Sequence, residues 1–355
     1  MKITAQFWSE HTAKFFGKNT GLFWWEAGPE LQRHINSKIS GSPDTDWVAY
    51  TVNKYFGGSL HLARCLSLGC GTGHLERRLA QFSEFQYCDA YDIAEGSLQI
   101  ARRLAVEKGL TNISYYTADI NRIALPAGVY DSVWIDSAMH HFEALEHVCQ
   151  QICQSLKPEG LLILTEYIGP SRFQVPDRQK EITNLCLGLL PAQYRILIQE
   201  QIALYSEHNQ FRKGARWFFS RVVDELRDGD LMGVVRRRFH TYKARVRNQG
   251  NVKTIVHFPS WRDVTTVDPS EAVRSEEIVE VLQRDFDIIE KKDWGGNVLQ
   301  FLFAGIAGHF STEDQQAQAL LKMVINVEDT LLQCGELKSD FAYIVARPKW
   351  KKRAP

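Results

Sequence analysis

The sequence predicts an α/β protein built on a doubly wound, mostly parallel sheet of seven strands. Three observations predict it. From residue 63 onward, short apolar runs alternate with amphipathic stretches of helical period, the pattern of a parallel sheet covered on both faces. The first run leads into a glycine-dense turn, "GCGTG" (69–73). Each of the next runs ends on a carboxylate: Asp92, Asp119, Asp136 and Glu166.

The elements follow in order. Residues 1–60 are rich in aromatics and form a helical N-terminal cap, with "SGSPDTDW" (40–47) as turn chemistry. Residues 61–169 form the core. "ARCLSL" (63–68), "FQYCDAYD" (85–92), "ISYYTAD" (113–119), "YDSVWID" (130–136) and "GLLILTE" (160–166) are its strands. "HLERRLAQF" (74–82), "AEGSLQIARRLAVEKG" (94–109) and "FEALEHVCQQICQSL" (142–156) are its helices, the last closed by "KPEG". Residues 170–284 break the alternation and read as a helical insertion or substrate lid. Residues 285–355 return to the sheet with "FDIIEKK" (286–292) and "FAYIVAR" (341–347).

Composition narrows the class. A chain of 355 residues with 44% hydrophobic and 24% charged residues is an ordinary globular protein with an ample core. Formal net charge is zero, so neither nucleic acid nor an anionic membrane is an expected partner. Seven cysteines contain no C-x-x-C pair and sit mostly in apolar runs, which predicts reduced core thiols and a cytoplasmic protein. The N-terminus lacks the continuous apolar run of a signal peptide, and "VLQFLFAGIAG" (298–308) is too short to span a bilayer.

Ligands of such sheets bind beyond the carboxyl ends of the strands. A glycine turn there lets backbone approach a ligand. Asp92 lies 19 residues after Gly73, where a carboxylate accepts both hydroxyls of a ribose. Asp119 is placed to accept from an adenine amine. The glycines at 69, 71 and 73 with His74 following depart from the G-x-G-x-x-G spacing of dinucleotide folds, which disfavours a nicotinamide-dependent oxidoreductase.

On "LSLGCGTG", "AYDIAEGSLQIAR" and the run from "TADINRIALPAG" through "LLILTEY", the stretch 63–168 resembles the class I S-adenosylmethionine-dependent methyltransferases, a Rossmann-like fold. The resemblance implies S-adenosylmethionine as cofactor and a seventh strand antiparallel between strands five and six. It implies that Leu68, Gly69, Cys70, Gly71 and Gly73 approach the methionine and ribose portions. Asp92 with Ile93 would hold ribose and adenine, Asp119 with Ile120 the adenine, and Asp136 with Ser137 the methionine end. It names no acceptor; a non-catalytic protein with this fold is the alternative.

The acceptor end is read from other residues. His140 and His141 offer a general base, an imidazole titrating near neutrality, and Glu166 ends the fifth strand beside them. Tyr167, Arg172 and the aromatic pair Trp24 and Trp25 are expected to contact a small-molecule or carrier-bound acceptor. No metal is expected, although His140, His141 and Glu166 would be its ligands. Residues 231–253 carry Arg236, Arg237, Arg238, Lys243, Arg245, Arg247 and Lys253 and no acid, a candidate surface for an anionic partner.

Overall fold

The computed structural model describes residues 2–15, 28–61, 63–82, 85–197, 252–310 and 313–349. Seven strands lie in one sheet: β1 (Arg64–Leu68), β2 (Tyr87–Asp92), β3 (Ile113–Thr117), β4 (Tyr130–Asp136), β5 (Leu156–Tyr167), β6 (Phe286–Gly295) and β7 (Phe341–Pro348). Their order is β3-β2-β1-β4-β5-β7-β6. The first five pair in parallel. β7 runs antiparallel between β5 and β6, where the resemblance puts it.

The two-residue period of the strands sorts side chains onto opposite faces. Cys65, Trp134, Ile163, Tyr343 and Val345 face one core; Leu66, Leu68, Val133, Ile135, Leu162, Leu164, Ile344 and Ala346 face the other. The first face is covered by α2 (Pro29–Ser40), α3 (Trp47–Tyr55), α4 (His74–Leu79), α7 (Asp177–Leu189), α10 (Leu299–Phe303) and α11 (Gln315–Gln333). The second is covered by α6 (Leu145–Ser155) and α9 (Ile278–Asp285). Near-continuous apolar strands need such double cover. At the β2–β3 edge, α5 (Glu95–Glu107) packs Leu98, Ala101 and Ala105 on Ala90 and Tyr115.

The N-terminal aromatics divide between two tasks. Trp47 on α3 packs at 5.9 Å from the buried Trp134, and Tyr50 at 5.9 Å from Tyr343, so these rings are core. α1 (Lys2–Phe15) instead lies against α5, with Gly96 N–H donating to Ser9 Oγ and Thr12 Oγ1 bonded to Ser97 Oγ at 2.9 Å.

"KPEG" is not a turn between α6 and the next strand. β5 already begins at Leu156, opposite Tyr130, and the register then jumps to Ser132 opposite Leu161. The intervening residues bulge out, which accommodates Pro158 within a central strand.

α8 (Trp261–Val267) leads into the loop 268–275 and starts on a capping box: Ser260 Oγ accepts from Asp263 N–H while the Asp263 carboxylate accepts from Ser260 N–H. Ser260→Ala is expected to lower stability by about 1 kcal/mol. Denaturant melts check this; an unchanged midpoint would show the cap to be idle. All the cysteines predicted to be reduced are free thiols, and Cys334 alone is exposed. Among the described residues no helix is long and apolar enough to cross a membrane.

Candidate active site

β1 and β4 are sheet neighbours from which the chain departs in opposite directions, the switch point where doubly wound sheets bind ligands. The glycine turn sits there. Gly69, Gly71 and Gly73 all take left-handed backbone, at φ 72°, 51° and 75°. A Cβ on Gly69 would stand 2.3 Å from that of Ala138, in the turn after β4, so this glycine lets the two loops touch. A Cβ on Gly73 would strike the Tyr115 hydroxyl at 2.5 Å. A Cβ on Gly71 would meet nothing within 4 Å, so its backbone faces open space.

Asp92 fastens this turn. Its Oδ2 accepts from Gly71 N–H and its Oδ1 from Ala94 N–H, both at 2.8 Å. Burial pushes its carboxyl upward, and these N–H donors pull it back. A carboxylate has about four acceptor positions, so two remain for a diol. Beneath the turn, Glu76 is fully buried, and the buried Tyr115 Oη is without a partner. Burial pushes the Glu76 carboxyl up to about 7, with Asp136 adding to the rise. The turn, its carboxylate and the space before Gly71 fit the adenosyl cofactor that the resemblance implies.

The other expected cofactor residues line the same sheet end. Leu68 is buried beneath the turn, and Cys70 and Ile93 are partly exposed. Asp119 caps a short 3₁₀ turn, accepting from Asn121 N–H, while Ile120 beside it is buried in the core. Asp136 ends β4; burial and the neighbouring Glu166 charge push its carboxyl to about 7. Ser137 follows with φ 49°, a left-handed conformation that costs a non-glycine residue about 1–2 kcal/mol.

A second constellation forms after β4 and β5. Glu166 is fully buried and accepts from the N–H groups of Ala138 (3.0 Å), Met139 (2.5 Å) and Tyr167 (2.8 Å), and it bonds His140 Nδ1. These four bonds hold Glu166 in place and its bond to Nδ1 fixes the His140 ring, so it acts through His140. Burial alone would lower the His140 pKa, but the Glu166 charge and hydrogen bond outweigh it and lift the ring to about 9. His141 goes the other way: burial and the His140 charge lower it.

The partners of His141 come from far along the chain. Its Nδ1 lies 3.1 Å from Ser270 Oγ, which itself donates to Asp268 Oδ1 at 2.7 Å. Asp268 also accepts from Trp8 Nε1 at 2.8 Å, and the Trp8 ring stands edge-on to His141 at 5.5 Å. Glu271 faces both rings, with Oε1 at 3.5 Å from His140 Nε2 and Oε2 at 3.9 Å from His141 Nε2. Asp268, Ser270 and Glu271 were not among the residues expected from sequence. The signal present was "VDPSEAV", two acids on a Pro-bounded turn inside an irregular stretch.

Two expected acceptor contacts, and one lysine of the basic stretch, are engaged elsewhere. The Tyr167 ring packs on Phe173 and Phe341 and its hydroxyl donates to Pro170 O, so it supports His140 from behind. Arg172 Nη1 donates to the carbonyls of Pro269 and Glu271, which ties down the loop bearing Glu271. Lys253 is not part of an exposed basic face: it is buried and its Nζ donates to the carbonyls of Phe301, Leu302 and Ala304 at the end of α10. Trp24, Trp25, Arg236, Arg237 and Arg238 lie outside the described residues.

Residues 66–164 match the model of a methyltransferase domain. Malonyl-[acyl-carrier protein] O-methyltransferase of Methylovorus is 35% identical over 31% of this chain and 38% of its own length. The ubiquinone/menaquinone biosynthesis C-methyltransferase of Stutzerimonas stutzeri is 25% identical over 39% of this chain and 54% of its own. The chain thus spans about two-fifths to one-half of the curated relatives it matches. An S-adenosylmethionine-dependent methyltransferase from Mesorhizobium loti aligns over 84% of this chain and 97% of its own, at 14% identity and a TM-score of 0.42. Through the glycine turn, the strand-end carboxylates and the matched model, residues 66–164 form a methyltransferase domain of the kind that uses S-adenosylmethionine.

Proposed function

We propose that the protein transfers a methyl group to an O, N or C nucleophile of a small or medium-sized acceptor. The observation that carries this reading is the continuity of the sheet end. Asp92, the glycine turn, Asp136 and the Glu166–His140 pair follow one another on neighbouring strands. A cofactor held at one end of this line presents its reactive end to the histidines at the other.

Asp92 would hold the ribose, with Gly71 giving backbone access, and Asp136 and Ser137 would lie by the methionine portion. Bound S-adenosylmethionine supplies an electrophilic methyl on a sulfonium. The chain supplies position and a shielded site, and positioning alone is a large part of such rate enhancements. His141, set by Ser270, would meet the acceptor and take the proton of its nucleophile, with His140, set by Glu166, beside it. Trp8 covers His141 from the N-terminal side, which supports a role for α1 in excluding water.

By their names, one group of relatives acts on a malonyl group of an acyl-carrier protein and another in quinone biosynthesis. The first supports a carrier-bound acyl group as acceptor; a secondary metabolite and a glycan precursor are the other two classes. Arg236, Arg237 and Arg238 would serve an anionic portion of such an acceptor.

His141→Ala is expected to lower kcat by about 10²-fold while S-adenosylmethionine affinity stays within about twofold. Calorimetry and single-turnover assays with acceptors of the three classes measure both. Turnover equal to wild type would remove the histidine from the chemistry.

A further inference from the structure

We infer that His140, His141 and Glu271 form a divalent-metal site at the acceptor end of the pocket. One ring nitrogen from each histidine and an oxygen of Glu271 lie within 4.8 Å of one another. Each Nε2 faces a different oxygen of that carboxylate, at 3.5 and 3.9 Å. Metal–nitrogen and metal–oxygen bonds run about 2.0–2.2 Å, so adjacent ligands stand roughly 3 Å apart. Small side-chain rotations bring the three groups to that spacing.

The far side of each ring gives the independent support. In metal centres the second nitrogen of a ligating histidine donates to a carboxylate or another acceptor, which fixes the tautomer and aims the free lone pair at the metal. His140 Nδ1 is held by Glu166. His141 Nδ1 is held by Ser270 Oγ, whose own proton goes to Asp268. Both rings are therefore braced to turn Nε2 toward one point. A general base needs one such ring; two converging on a shared carboxylate make a ligand set.

Charge points the same way. Glu166, Asp268 and Glu271 gather around two imidazoles. The arginines of this region are engaged with other groups: Arg172 with the Pro269 and Glu271 carbonyls, Arg274 with Glu146 and Glu277. Two imidazoles and one carboxylate suit Zn²⁺, Fe²⁺ or Co²⁺, and three protein ligands leave positions open for an acceptor oxygen. A cation there lowers the pKa of the oxygen it binds. This deepens the methyl-transfer reading by giving the acceptor an oxygen nucleophile, and for that consequence it rests on that reading; metal binding itself does not.

The test is titration of chelator-treated, dialysed full-length protein with Co²⁺, followed by calorimetry and visible absorption. One equivalent is expected to bind, with d–d bands of a nitrogen–oxygen site. Glu271→Gln and His141→Asn should each weaken binding at least 100-fold. Ser270→Ala should weaken it about tenfold, the scale of a lost supporting contact. Circular dichroism confirms that each variant is folded. No stoichiometric binding by the wild type, or equal binding by folded Glu271→Gln, overturns the site. S-adenosylmethionine affinity is measured on the same wild-type sample, so that failure of the methyltransferase reading registers separately from failure of the metal site.

Discussion

Asp92→Ala is expected to weaken S-adenosylmethionine binding by about 10²–10⁴-fold, the value of two charge-assisted hydrogen bonds at roughly 1.5–3 kcal/mol each. The carboxylate has a double duty in this fold. It closes the turn on Gly71 and Ala94, and it retains acceptor positions that the proposed ribose would occupy. Removing it leaves two N–H donors unpaired in a part-buried setting, so stability should fall as well, by about 1 kcal/mol. Asp92→Asn separates the two effects. It keeps one carbonyl acceptor but turns an amide donor toward Gly71 or Ala94, so it should retain the fold better than the alanine variant and still lose most affinity. Calorimetry gives the affinity and a thermal melt the fold. Native affinity in either variant would remove the ribose assignment.

Glu76→Gln is expected to stabilise the protein by about 3 kcal/mol at pH 8.5 and to change it little below pH 5. The cause is full burial, which disfavours the charged form of the carboxyl. Its usual value is 4.5 and burial raises it to about 7 in the folded chain. The folded state thus binds the proton more tightly than the unfolded state. That contribution is fully present below pH 4.5, shrinks as pH rises through 7, and is gone above it. A shift from 4.5 to about 7 corresponds to about 3 kcal/mol at roughly 1.4 kcal/mol per pH unit. Glutamine has no proton to lose, so the gap between variant and wild type should open across that window. Urea melts from pH 5 to 8.5 measure it. A gap independent of pH would mean that Glu76 titrates at its ordinary value.

The sheet was legible because its strands are buried on both faces and therefore read as apolar runs with polar ends. Cys65 through Leu68 and Leu161 through Leu164 announce themselves in this way. The glycine turn and Asp92 were legible because one backbone geometry demands both. Long-range pairing was not. Lys253 reads as one more charge in a basic stretch; its commitment to the α10 carbonyls depends on a helix about 50 residues later. Pro158 and Gly160 read as a turn because local propensity does not register a bulge held by strands on either side. Asp268 and Glu271 carry no local mark of function, since nothing in "VDPSEAV" states that it will face residues 140 and 141. Tyr167 follows a strand-end acid, but side chains alternate, and its neighbour Glu166 took the site-facing direction.

The loop 268–275 is stitched into place from several directions. Val273 N–H donates to His140 O, Arg172 N–H to Ala272 O, and Ser275 Oγ to Gly169 O. Trp8 adds a bond to Asp268 across 260 positions of sequence. These closures differ in kind from those of the cofactor half, where strands β1 to β5 join over short connections. Closing a long loop carries an entropic cost that must be met before its contacts form, and non-local pairings slow folding. The two halves of the site are therefore expected to mature at different times. The nucleotide end can organise while the chain is still collapsing, whereas the histidine end waits until the residues beyond 260 have returned and the N-terminal helix has docked. During refolding, cofactor binding should then recover before turnover does.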